Sequence, residues 1–106
     1  MDKNIFKVKG TYVNGQWFNS KNTYEVFNPS NGEKLSDVPI SDKKELELAV
    51  ESAKKAQAIW SKTSLIERVK CLEELSKKIL EKEEEFALID SYDSGNALTG
   101  MRKDVK

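Results

Sequence analysis

Few side chains in this 106-residue sequence could do chemistry, and Cys71 is the first of them. It is the single thiol, and a thiolate becomes a nucleophile when a neighbouring base or positive charge lowers its pKa. The sequence contains no histidine, which removes the commonest general base and the commonest metal ligand. Cys71 also stands mid-way along a helical pattern, between Lys70 and Leu72, so it is expected to be a buried or half-buried packing residue that reacts slowly with thiol reagents. The carboxylate pairs Glu73-Glu74 and Glu83-Glu84 have basic helical neighbours, which is the pattern of solvated charge rather than of a general acid and base. Trp17 and Trp60 lie on periodic apolar runs, and core or interface packing is expected of both. The glycines, at 10, 15, 32, 95 and 100, never cluster into a phosphate-cradling loop. On residue types and spacing alone, the sequence shows no active site.

The elements that would have to position any site begin with residues 41–95, where a helix-period apolar pattern is written twice. Leu46, Ala49, Val50, Ala53, Ala56 and Trp60 recur every three or four residues and share one face, and Asp42 with Glu45 can form a capping box at its start. Ser64-Leu65-Ile66-Glu67 is a second capping box, followed by Leu65, Ile66, Val69, Leu72, Leu75, Ile79 and Leu80 at the same period. The pattern falters at Glu81 to Glu85, where a kink or break is expected, resumes at Phe86, and stops at Asp93-Ser94-Gly95, with Gly95 suited to a left-handed C-terminal position. These residues read as a helical hairpin.

Upstream, Asn14-Gly15 between Tyr12-Val13 and Gln16-Trp17-Phe18 predicts a two-residue β-hairpin, because a type I′ turn needs positive φ at both central residues. Thr23 to Phe27 reads as a further strand, Asn28 to Gly32 as a turn, and Lys34 to Val38 as the returning strand. Residues 1–11 read as an arm that docks as a strand or stays loose, 12–40 as hairpin and strands, 41–95 as the helical hairpin, and 96–106 as the start of a helix cut short. Strands followed by helices give an α+β class.

Composition excludes several functions. Lys plus Arg and Asp plus Glu are both 18, with the signs interspersed, so there is no basic footprint for nucleic acid. No apolar run approaches the roughly 18 residues of a membrane helix, nothing resembles a secretory leader, and one cysteine makes no internal disulfide. A cytoplasmic setting is the expectation.

Taken in order, Tyr12-Val13-Asn14-Gly15-Gln16-Trp17, Asn28-Pro29-Ser30-Asn31-Gly32-Glu33, Ala53 to Trp60, Glu67-Arg68 and Asp93-Ser94-Gly95 resemble the N-terminal segment of the aldehyde dehydrogenase superfamily, with the look of its betaine-aldehyde and broad-specificity members. The resemblance implies an NAD(P)-dependent enzyme that oxidises an aldehyde to a carboxylic acid, using a cysteine nucleophile and a glutamate that activates water. It places this segment within the α/β cofactor domain of that fold. It places the dinucleotide site and both catalytic groups beyond Lys106, so it implies no catalytic or cofactor-binding residue here. Cys71 lacks the glycine-rich context of the family nucleophile. Asn96 stands where a lysine is common.

One implied site falls inside the chain. The resemblance assigns a potassium or sodium ion to the main-chain carbonyls of Val26 and Phe27 and the carboxylate of Asp93, oxygen ligands that suit a hard cation. The alternative is that Asp93 only caps the turn at Gly95. The implied partners are the remainder of the enzyme chain and further copies of it in a homo-oligomer. Two other readings stand beside this one: a free-standing interaction module with an apolar helical face, and a small enzyme working through Cys71.

Overall fold

The computed structural model describes residues 2–106. Its order is a 3-10 turn at Lys3–Phe6, strands β1 (Thr11–Val13), β2 (Gln16–Phe18), β3 (Thr23–Phe27) and β4 (Lys34–Pro39), then helices α1 (Lys43–Trp60), α2 (Leu65–Glu81), α3 (Glu83–Ser94) and α4 (Leu98–Val105). The strands make two separate antiparallel pairs, β1 with β2 and β3 with β4. In the first, Val13 opposes Gln16 across Asn14-Gly15, whose φ values of 50° and 77° are those the turn demands. In the second, Thr23 opposes Pro39 and Val26 opposes Ser36, with a bulge between Val26 and Phe27.

Local chemistry explains where the helices start and stop. At α1, Asp42 Oδ1 accepts from the Lys44 N–H at 2.9 Å while Glu45 accepts from the Asp42 N–H at 3.0 Å. At α2, Ser64 and Glu67 make the same reciprocal arrangement. The expected break falls at Lys82, whose φ of −112° and ψ of 19° leave the helical region and separate α2 from α3. Gly95, at φ 77°, ends α3, and its N–H returns to Ser91 O at 2.9 Å.

The arm departs from expectation. It is neither a strand nor loose: Asp2 caps a 3-10 turn through the Asn4 N–H at 2.9 Å, and Phe6 is buried with its ring 5.3 Å from that of Tyr92 on α3. An aromatic ring brought to a half-covered helix gains more by burial than the arm gains from pairing as an edge strand. Thr11 belongs to β1 rather than to the arm.

The core is small. Phe6, Val13 and Ala87 are the buried apolar residues among those described, and neither α1 nor α2 buries any residue. α3 packs along α4, whereas the apolar faces of α1 and α2 lie open, with Leu46 at 62%, Leu65 at 69% and Leu72 at 60% exposure. The radius of gyration, 17.0 Å, exceeds the roughly 13 Å of a compact chain of about 100 residues. One expectation fails for this reason, and another is narrowed to its interface alternative. Cys71 is exposed, on a helix whose apolar face is largely open. Trp17 is 54% exposed and Trp60 37%, so neither is a core residue here. Trp17 instead packs at a tilt of 55° against Tyr12, with centroids 4.9 Å apart, and carries Lys9 Nζ 5.9 Å from its ring centroid.

Candidate functional site

The corner where β3 turns into β4 is built by short-range polar bonds. Asn28 is buried, and its carboxamide Oδ1 accepts from the Ser30 N–H at 2.9 Å. The Asn28 N–H donates to Glu33 O and the Gly32 N–H to Asn28 O, each at 2.8 Å. The turn then meets the end of α3: a Cβ placed on Gly95 would stand 3.0 Å from Pro29 Cγ. Gly95 is therefore required twice, for its backbone conformation and for this contact.

Val26 and Asp93 line the same cleft of about 360 Å³, together with Phe6, Tyr24, Leu35 and Ile89. Phe27 does not line it, and its side chain is 48% exposed. The bulge between Val26 and Phe27 interrupts the ladder at the two residues whose carbonyls were assigned to a cation, and a bulge is where such groups leave their strand partners. The turn at Gly95 is closed by Ser91 O, by Ser91 Oγ donating to Asn96 O at 2.7 Å, and by Ser94 Oγ accepting from the Asn96 N–H at 3.2 Å. None of these bonds uses Asp93. Asp93 itself is exposed and is one of the residues lining the cleft. Among the described residues no group of three or more His, Cys, Asp or Glu could hold a metal ion.

Exposed charge pairs dress the rest. Arg102 on α4 grips Glu84 on α3 through Nε and Nη2 at 2.9 and 2.7 Å, and these bonds hold the Glu84 carboxyl below its ordinary value. Lys34 sits between Asp37 and Glu25, at 2.8 and 2.9 Å, and the Asp37 bond first, then the Glu25 bond, raise its pKa. Both clusters brace elements against each other, and neither faces the cleft.

Sequence reasoning missed two polar features. The Glu84–Arg102 fork joins residues 18 apart, so no local spacing announces it. Arg68 Nε on α2 is shut off from solvent and finds no acceptor among the described residues. Its helical position was legible: Arg68, Leu72, Leu75 and Ile79 follow at spacings of four, three and four, which sets a guanidinium inside the apolar stripe.

Comparison with known proteins accounts for this arrangement. The aldehyde dehydrogenase family profile matches residues 17–106. The chain is 31% identical to a malonate-semialdehyde dehydrogenase of Bacillus pumilus over all of this chain and 22% of that protein. It is 38% identical to malonate-semialdehyde dehydrogenase 1 of Shouchella clausii over 96% of this chain and 21% of that one. A crystal structure of betaine aldehyde dehydrogenase from Staphylococcus aureus, in complex with NAD+, superposes with a TM-score of 0.86 at 29% identity, covering 92% of this chain and 20% of that one. The chain thus spans about a fifth of the length of the relatives it matches. The two small sheets and four helices are an α+β portion of that larger fold. With the profile running from within β2 through β3, β4 and all four helices, the chain belongs to the aldehyde dehydrogenase family.

Proposed function

We propose that this chain is the N-terminal part of an NAD(P)-dependent aldehyde dehydrogenase that oxidises an aldehyde to a carboxylic acid, and that alone it does not catalyse that reaction. The observation that carries the reading is a family match over residues 17–106 in a chain spanning about a fifth of its relatives. The open faces of α1 and α2 support it, since apolar stripes of this length are covered in a finished fold. In this reading the remainder of the enzyme holds NAD or NADP and supplies the cysteine and glutamate, the assembled protein is a cytoplasmic homo-oligomer, and Val26, Phe27 and Asp93 help hold potassium or sodium. The cofactor, when bound, accepts the hydride of the oxidised aldehyde. This chain's own residues contribute scaffold and cation oxygens.

The test is a paired assay of nicotinamide reduction with malonate semialdehyde and betaine aldehyde, on the 106-residue chain and on the protein encoded when its reading frame is followed past Lys106. Turnover by the longer protein alone supports the proposal. Turnover by the chain alone, or by neither, overturns it.

The second reading, a free-standing interaction module, is favoured by the same open faces of α1 and α2. It requires a separate protein that binds the chain stoichiometrically, and loss of that binding on Leu72→Asp.

A further inference from the structure

Two asparagines of this sequence stand directly before a glycine, Asn14 and Asn31, and both are exposed. Such a pair carries its own chemistry, because no side chain on the glycine crowds its nitrogen as it approaches the carboxamide of the residue before. The structure gives the two glycine nitrogens opposite surroundings. At the corner between β3 and β4, the Gly32 N–H donates to Asn28 O at 2.8 Å and Asn31 Oδ1 accepts from the Glu33 N–H at 3.0 Å. Buried Asn28 and the contact of Pro29 with Gly95 fix that corner further. Between β1 and β2, Val13 pairs with Gln16, so the ladder closes outside the turn, and the Gly15 N–H makes no hydrogen bond among the described residues.

We propose that Asn14 is a site of spontaneous deamidation, with water as the co-reactant, and that Asn31 is protected from the same reaction by its turn. In the first step the Gly15 main-chain nitrogen attacks Asn14 Cγ. The new N–Cγ bond closes a succinimide ring, the Cγ–Nδ2 bond breaks, and the amide leaves as ammonia with the proton that Gly15 gives up. Water then adds to one of the two ring carbonyls and cleaves its bond to the nitrogen. Opening at Cγ leaves aspartate, and opening at the main-chain carbonyl leaves isoaspartate. Ring closure needs the Asn14 backbone to rotate out of its turn conformation. A two-stranded sheet of three residue pairs yields to that rotation, since such a hairpin is marginal by itself. The same rotation at Asn31 breaks the Gly32 and Glu33 bonds together. Isoaspartate at position 14 routes the chain through its side-chain carbon and lengthens the turn that sets Val13 against Gln16, so β1 and β2 lose their register beside buried Val13.

The experiment incubates the 106-residue chain at mildly alkaline pH, native and in urea, and follows each asparagine by peptide mass spectrometry. In the native chain Asn14 should convert at least about ten-fold faster than Asn31, the two bonds at the second turn each contributing roughly one net hydrogen bond of protection. In urea the two pairs should convert at comparable rates. Equal native rates, a faster Asn31, or a preference for Asn14 that persists undiminished in urea overturns the proposal. Asn14→Gln, whose longer side chain would have to close a larger ring, should remove the product at position 14 and leave Asn31 as it was. Amide hydrogen exchange over residues 11–18 then reads the consequence. It should quicken in the isoaspartyl form and stay near wild type in Asn14→Asp, which carries the charge without the added backbone atom and still suits the turn. Unchanged exchange in the isoaspartyl form, or equal quickening in Asn14→Asp, overturns the loss of register.

Discussion

At the residue scale, Gly95 carries two demands, a left-handed backbone and the approach of Pro29 to the end of α3. Gly95→Ala should lower stability by about 1–2 kcal/mol from the backbone penalty alone, with a further loss unless Pro29 moves. Urea denaturation of the two chains measures it, and an unchanged midpoint would mean that the corner is not closed as described. Cys71 is the opposite case, a residue whose setting is permissive. Because the α2 surface around it is open, the native chain should titrate its thiol with an aromatic disulfide reagent at a rate close to that of the urea-unfolded chain. A strongly slowed reaction would show that something covers α2 after all, self-association being the first cause to examine.

At the element scale, α3 and α4 are the helices that pack on each other, and the Glu84–Arg102 fork ties them. Glu84 is held below its ordinary value of 4.5 by the Arg102 bonds, so its folded-state pKa is depressed relative to the unfolded chain. The contribution is therefore fully present above the ordinary value and is lost as pH falls through the lower folded one. Arg102→Ala should destabilise the chain slightly at neutral pH, the pair being exposed, and wild type and variant should converge in acid once Glu84 is protonated. Melting curves for both across that range check it. A gap that persists in acid would assign the effect to packing of the Arg102 stem.

At the scale of the molecule, a thin body of 49 × 35 × 19 Å with open apolar helices is not a finished globule. The isolated chain is expected to bind an apolar-surface dye in its native state and to self-associate with concentration. Sedimentation across a concentration series together with dye fluorescence decides this. A strictly monomeric chain that leaves the dye dark would contradict the open faces of α1 and α2. No described helix is long and apolar enough to cross a membrane.

The sequence by itself determined what is local. The Asn14-Gly15 turn, the capping boxes at Asp42 and Ser64, the break near Glu81 and the left-handed Gly95 all follow from interactions spanning four residues or fewer, and the structure has each of them. The family too was legible, because the order of those local signatures is itself a sequence property. Burial was not. Periodicity identifies an apolar face but not its cover, so Cys71, expected to be buried or half-buried, stands in the open, and Trp17 and Trp60, expected in a core or an interface, lie outside the core of this chain. The docking of Phe6 on Tyr92, the fork between Glu84 and Arg102 and the shared cleft of Val26 with Asp93 join residues far apart in the chain, and only the tertiary structure could bring them together.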